Sequence, residues 1–290
     1  MDIGLSIPST IAGADRDTLC EWIRRVDAGP FSTLATGERL ASDFLDLMGV
    51  LSAAAVITDR VRIQSLIALA PLHEPVLLAK QAATVDVLSG GRFTLGVGVG
   101  MRAYDYELAG KASAFERRVA VLDERVETMR QVWPPGAPPI GPAPVQAGGP
   151  PVFSSSLGPK SIRRAVHWAD GLAGFDMVPD LRAVGATFDT FRRAWQDAER
   201  SGTPTVQTSF WFGLTGDAPQ RVRDFAADYL MIFGPDFAAR MSQRCWATSP
   251  AALRDILAQL EQLGCDEVIL APTTADLDEL SAAEDFVAGL

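Results

Sequence analysis

Histidine, cysteine and tyrosine are scarce in this chain: two, three and three residues among 290. The cysteines, Cys20, Cys245 and Cys265, are odd in number and far apart. That excludes a disulfide framework and a zinc knuckle, and reads as three reduced thiols. His73 and His167 share no metal-ligand spacing with each other or with a carboxylate, so no metal centre is expected. There is no Gly-x-Ser-x-Gly elbow for hydrolysis. Basic charge is in deficit, with 26 Lys and Arg against 36 Asp and Glu and a formal charge of −10. No basic block reverses it locally, so a nucleic-acid partner is not expected. The longest apolar run, at 53–57, is far short of the ~18 residues of a membrane span. The amino terminus has no basic stretch followed by a long apolar one. These absences point to a cytoplasmic protein without a membrane partner.

What is present is a globular composition, 48% hydrophobic and 21% charged, with 25 glycines. The most informative stretch is 79–100. It reads as a helix, a Ser89-Gly90-Gly91 turn and a strand with glycine at alternate positions, Gly96, Gly98 and Gly100. Alternating glycines at the carboxyl end of a strand leave room for something flat or anionic to approach the backbone. Close strand packing explains them equally well.

Strand and helix signals alternate along the rest. Strands are expected at 3–8, 31–36, 61–70, 92–99, 152–156, 171–175, 205–214 and 267–271. Helices are expected at 17–28, from a Ser42-Asp43 cap to 57, from Pro75 to the Gly90 turn, and at 116–133, 160–169, 180–201, 218–233, 236–245, 250–263 and 277–288. Eight strands, each followed by helix, predict an α/β fold, a (β/α)8 TIM barrel. A doubly wound sheet would place a glycine fingerprint after its first strand, where this chain has Ser9-Thr10-Ile11-Ala12-Gly13. The proline-rich stretch at 134–151 interrupts the pattern, but the rhythm resumes at once. It is taken as a surface loop within one domain, 1–290, in preference to a linker.

In a barrel, chemistry sits at the carboxyl ends of the strands. Ser154-Ser155-Ser156-Leu157-Gly158-Pro159-Lys160-Ser161 combines hydroxyls, a glycine and a fresh helix start. It reads either as a phosphate cradle or as a plain turn capped by Ser156 or Ser161. Glu38 and Arg39 follow the second strand and face the mouth, as a surface ion pair or as substrate contacts. His73, in the loop after the third strand, is expected to be solvated, and His167 to pack inside a helix beside Trp168. Trp211 is expected in the core. So few acid–base groups in a barrel with an anion cradle suit a cofactor that carries the difficult chemistry.

Residues 57–107 resemble the luciferase-like flavin-dependent oxidoreductases. The resemblance rests on Ile57-Thr58-Asp59-Arg60-Val61-Arg62, Pro71, Pro75, Leu78-Ala79-Lys80, Asp86-Val87-Leu88-Ser89-Gly90-Gly91-Arg92, Gly96 to Gly100 and Tyr104-Asp105-Tyr106-Glu107. Ser155 to Lys160 with Ala169-Asp170-Gly171, and the segment at 263–270, extend it over most of the chain. The resemblance implies a barrel that binds FMN or the deazaflavin coenzyme F-420. The ring would lie near Ile67, Ala68, Gly98 and Gly100. The phosphate would sit at Ser155, Ser156, Leu157 and Gly158. A bulge or cis peptide near Leu66-Ile67 would support the ring. Two departures stand out: Arg39 occupies the place after the acidic residue where many members have histidine, and Met101 replaces the usual tryptophan. Arg39 is no general base at neutral pH, but it binds anions.

The function expected on these grounds is a flavin-dependent oxidoreductase or monooxygenase acting on a small organic molecule. One alternative is strict use of the deazaflavin, which transfers hydride only. Another is a barrel that binds flavin without catalysis, motivated by the missing histidine. Dimers through the second and third helices are common among look-alikes, which leaves a homodimer open.

Overall fold

Eight strands whose residues are buried almost throughout need cover on both faces, and a barrel ringed by helices supplies it. The computed structural model describes residues 1–11, 13–134 and 140–290. The strands are β1 Asp2–Ser6, β2 Thr33–Thr36, β3 Arg62–Ala68, β4 Phe93–Val97, β5 Val152–Ser154, β6 Gly171–Ala173, β7 Thr205–Phe212 and β8 Glu267–Pro272. Each pairs in parallel with its neighbours, and β1 closes on β8 with Asp2 opposite Glu267 and Leu5 opposite Leu270. The closed (β/α)8 barrel matches the sequence expectation.

The helices are α1 Arg16–Ala28, α2 Leu47–Ile57, α3 Pro75–Leu88, α4 Ala103–Leu108, α5 Arg118–Val132, α6 Pro159–Ala165, α7 Leu181–Asp197, α8 Ala218–Leu230, α9 Pro235–Ser242, α10 Pro250–Gln262 and α11 Leu277–Ala288. Their boundaries follow local chemistry. In α1, Asp15 accepts from the Thr18 amide while Leu19, Trp22, Ile23 and Val26 are buried at helical spacing. In α10, Ser249 caps and Pro250 occupies the first turn.

Several boundaries differ from the sequence reading. Helix α2 is capped by Asp46, not by Ser42-Asp43. Residues 40–45 are instead tied across the barrel mouth, with the Ala41 amide on Asp105 at 3.0 Å and the Leu45 amide on the Ser9 carbonyl at 3.3 Å. Helix α6 stops at Ala165, so exposed His167 lies in a turn and not inside a helix. The early turn delivers Asp170 to the Val152 amide at 2.8 Å and to Arg130 at 2.7 Å. Most strands end earlier than expected, because their last apolar residues already belong to the loops of the mouth. Helix α4 was not expected at all. Within the 134–151 loop, residues 135–139 lie outside the described residues.

The amino-terminal end of the barrel is a polar lock. Inside it, Glu267 is 1% exposed. It accepts from Ser32 and Thr33 hydroxyls at 2.5 Å each and from the Gln207 amide, and it pairs with the Arg62 guanidinium at 2.8 Å. Gln207 in turn accepts from Gln64 at 2.8 Å, which joins β7 to β3 across the interior. Around the rim, the Asp27 carboxylate takes the amides of Asp59, Arg60 and Val61, each at 2.9 Å. Arg92 donates to the carbonyls of Ala55, Thr58 and Val61. Fully buried Asp86 accepts from the Val145 and Gln146 amides at 2.7 and 3.0 Å and from the Gln146 side chain at 2.6 Å.

Asp86→Ala removes the acceptor of two part-buried amides and one of the two acceptors of the Gln146 side chain, which keeps the Phe93 carbonyl at 2.7 Å. At roughly 1 kcal/mol for each part-buried group left unsatisfied, the substitution should lower unfolding stability by about 2 kcal/mol. Urea unfolding followed by tryptophan fluorescence reads the loss, and a change under about 1 kcal/mol contradicts this account of the loop's attachment.

Candidate active site at the carboxyl end of the barrel

The floor of the site forms where β3 and β4 meet. The ladder between them shifts register between Ser65 and Ala68, and the Leu66-Ile67 peptide is cis. This irregular stretch passes close to β4 only because β4 lacks side chains there. A Cβ on Gly96 would stand 2.2 Å from the Ser65 carbonyl oxygen, and one on Gly98 would stand 2.0 Å from Ile67 Cδ1 and 2.3 Å from Ser155 Oγ. Gly100 has φ +67°, a conformation that favours glycine, and it lies beside Leu69.

Above this floor is a cavity of about 430 Å³. Its β3–β4 side is formed by Ile67, Gly98 and Gly100, and its β5 side by Ser155, Ser156 and Leu157. Glu38 and Arg39 reach it from β2. Of the residues expected at the site, Ala68 is fully buried beneath the floor, and Gly158 is exposed just beyond the wall.

The β5 loop is not the capped turn considered from sequence. Gly158 takes the N-cap position of α6 and no side chain caps the helix; Ser161 Oγ donates to the Gly158 carbonyl at 2.9 Å. Ser156 is held by Ser154, with 2.9 Å between the hydroxyls. Neither the Leu157 nor the Gly158 amide donates to an oxygen of the described residues. Lys160 is exposed and off the cavity wall. With α6 only seven residues long and Pro159 in its first turn, the polar groups this loop presents are its own amides and hydroxyls, not a long helix's dipole.

The opposite wall is aromatic. Trp211 on β7 packs edge-on against Phe175, Phe225 and Tyr229, with centroids 5.3, 5.5 and 5.0 Å away. Trp211 is buried, as expected of a core residue, and also faces the cavity. The role of α8 was not read from sequence, although Phe225, Tyr229 and Phe233 recur every fourth residue and were visible as one stripe.

The polar groups at the mouth are sharply divided. Glu38 Oε2 accepts from the Leu69 amide at 2.6 Å, and its carboxylate meets His73 Nε2 at 2.8 Å. His73 is therefore a half-buried partner of Glu38, not a solvated loop histidine; the return of the β3 loop over β2 brings the two together. Glu38 and Arg39 form no ion pair with each other. Arg102 is committed to the Ala41 carbonyl at 3.0 Å and lies 3.8 Å from Asp105. The Arg39 guanidinium lies 4.4 Å from the Tyr229 ring centroid and 5.9 Å from that of Phe44. Burial, above all, pulls its pKa below the usual arginine value; Arg102 adds to this, against Tyr229, Asp105 and Asp228. Tyr106 is a tie, not a catalytic acid: its hydroxyl donates to the Val99 carbonyl at 2.5 Å and burial pushes its pKa up to about 12.

Beside the aromatic wall, burial pushes Asp176 up to about 6, with the charge of Asp180 adding and amide donors from Asp180 and Val178 opposing. A carboxyl raised in the folded state disfavours folding once it must ionise, so its cost grows as pH rises through the interval from about 4 to about 6. Asp176→Asn should accordingly raise the melting temperature at pH 8 and leave it nearly unchanged at pH 4. Equal shifts at both pH values would sink this assignment.

Comparison with known proteins agrees with this geometry. Among curated relatives, an uncharacterized protein of Mycobacterium tuberculosis is 40% identical over 89 residues, 31% of each chain. The 4-hydroxyprotoasukamycin monooxygenase of Streptomyces nodosus is 26% identical over 211 residues, 67% of this chain and 55% of that one. The match thus spans only about a third to a half of these relatives' lengths. Among solved structures, monooxygenase RslO1 from Streptomyces bottropensis superimposes with a TM-score of 0.81 at 20% identity, covering 100% of this chain and 98% of the other. An F420-dependent secondary alcohol dehydrogenase in complex with an F420–acetone adduct gives 0.78 at 16% identity over 98% and 97%. The oxygenating constituent of 3,6-diketocamphane monooxygenase from Pseudomonas putida, in complex with FMN, gives 0.71 at 15% over 99% and 95%. At such identities the structures speak for the fold alone. The sequence model of the luciferase-like monooxygenases matches residues 1–245, and the chain belongs to that family.

Proposed function

We propose that this protein is an oxidoreductase acting on a small organic substrate, either a flavin-dependent oxidoreductase or monooxygenase with FMN as its cofactor or a hydride-transfer oxidoreductase with coenzyme F-420. The observation that carries the reading is the cradle itself. A floor emptied by Gly98 and the β5 residues Ser155, Ser156 and Leu157 line one cavity, and the uncommitted amides of Leu157 and of Gly158, just beyond the wall, lie at its edge. The pairing of a flat apolar floor with an anion cradle fits a phosphorylated ring. The structural neighbours named for FMN and for F420 fit either cofactor, which is why both are carried forward.

In this reading Ile67, Gly98 and Gly100 would receive the face of the ring, with Ala68 supporting them from below. Ser155, Ser156 and the Leu157 and Gly158 amides would hold the phosphate. A bound flavin supplies hydride transfer and, as FMN, the activation of oxygen. The chain supplies exclusion of water, through the wall of Trp211, Phe175 and Tyr229. It also supplies a proton path, since Glu38 faces the cavity and shares a hydrogen bond with His73 Nε2 at 2.8 Å. That pair offers an imidazole by another route, which weighs against the reading of a barrel that binds flavin without turning over. All eight strands fall in one barrel, and we take 1–290 as a single domain.

The test is titration of the purified protein with FMN and with F-420, followed by anaerobic reduction and reoxidation with candidate substrates. Micromolar binding of one cofactor is expected. Gly98→Ala, which sets a methyl against Ile67 and Ser155, should weaken it about tenfold or more, roughly 1.4 kcal/mol, with the far-ultraviolet circular dichroism unchanged. Failure of both cofactors to bind at ~100 µM rejects the proposal. Bound flavin that no substrate reoxidises would favour the non-catalytic reading.

Exposed Val56, Leu77, Val87 and Leu88 on α2 and α3 support a homodimer through these helices. Sedimentation should then show a dimer that Leu77→Glu shifts toward monomer; a wild-type monomer at ~50 µM rules it out.

A further inference from the structure

We propose that Arg39 is the specificity-determining residue of the cavity, and that it selects substrates carrying a carboxylate or similar anionic head on an apolar, ring- or chain-like body. This deepens the oxidoreductase reading above by naming its substrate class.

Most charges around the cavity are already matched. Glu38 is satisfied by the Leu69 amide and His73. Asp105 accepts from the Ala41 amide and neighbours Arg102, which donates to the Ala41 carbonyl. Asp123 is bound by Arg164 and by the Trp168 indole at 3.0 Å. Arg39 alone among these charged groups has no hydrogen-bond acceptor and no carboxylate within 4 Å among the described residues. Its Nε is buried without a partner.

A half-buried guanidinium left without an anion is costly, and the Tyr229 ring at 4.4 Å offsets only part of that cost. The depressed pKa of Arg39 reports the same imbalance from the side of the charge. An incoming carboxylate would supply the missing acceptor in a charge-assisted, bidentate pair.

The anion that Arg39 awaits differs from the one at the β5 loop. Arg39 follows β2 and leans on α8, whereas Ser155, Ser156 and Leu157 follow β5, and β3 and β4 stand between β2 and β5 in the closed barrel. A cofactor anchored at β5 with its ring on Ile67 and Gly98 would leave free the part of the cavity bounded by Arg39, Phe44, Phe175, Trp211 and Tyr229. That remainder is one fixed positive charge set in an aromatic wall. It matches an amphipathic acid and leaves a neutral or cationic molecule with the guanidinium still unpaired.

Calorimetry at pH 7.5 with 4-phenylbutyrate and octanoate, each against its neutral amide, tests the proposal. The comparison is made with and without FMN, so that loss of FMN binding counts against the cofactor and not against Arg39. Each acid should bind wild type about tenfold or more tighter than its amide. Arg39→Gln should abolish the preference, and Arg39→Lys should restore part of it. Failure of both acids to bind, equal binding of acid and amide, or a preference that survives in Arg39→Gln overturns the proposal. So does a preference that stays while FMN affinity falls, because Arg39 would then serve the cofactor.

Discussion

The site depends on two missing side chains. If β4 carried even a methyl group at Gly96 or Gly98, it would collide with the Ser65 carbonyl, Ile67 or Ser155 at little more than 2 Å. At Gly96 the obstacle is the β3 backbone itself, which is held in the β3–β4 ladder, whereas at Gly98 the side chains of Ile67 and Ser155 would have to move off the floor. The glycines let β3 depart from regular pairing between Ser65 and Ala68 while remaining in the barrel, and so let Ile67 become a floor. They also bring the β5 serines to the edge of that floor. The floor and the placing of the β5 serines beside it therefore follow from one packing constraint.

The two ends of the barrel divide the labour. At the amino-terminal end three carboxylates are well matched: Glu267 by three donors and the Arg62 charge, Asp27 by three amides, Asp86 by three donors. Such networks stabilise because no member is left unpaired. At the carboxyl-terminal end the wall is apolar, with Arg39 unmatched and loop amides unclaimed. Stability at one end permits unsatisfied groups at the other.

That division explains what could be read from sequence. Strand apolarity, proline and glycine punctuation, and helix spacing are local, and the barrel follows from them. The residues that carried the family resemblance, Asp59 to Arg62 and Asp86 to Arg92, are largely those of the amino-terminal lock. They identify a scaffold and lie off the wall of the cavity. The site was legible only where one segment makes it, as in Gly96 to Gly100 and Ser155 to Leu157. Contacts assembled from distant loops were not. His73 meets Glu38 across 35 residues, and Arg39 meets Tyr229 from the far side of the barrel.

The place after Glu38, where relatives often have histidine, shows how such distant contacts change a reading. Arginine there looks like a loss of acid–base chemistry when the segment is taken alone. In three dimensions Glu38 has an imidazole, donated by the β3 loop. The position it would otherwise share is freed for a group that cannot give up its proton but can bind an anion. Exchanging histidine for arginine at a cavity wall thus separates two tasks. In the proposed reading proton transfer would rest with the Glu38–His73 pair, which is satisfied without any ligand, and anion binding with Arg39, which has no acceptor among the described residues. A site arranged in this way is incomplete until something negative enters it, and the aromatic wall sets the shape that the rest of that molecule must have.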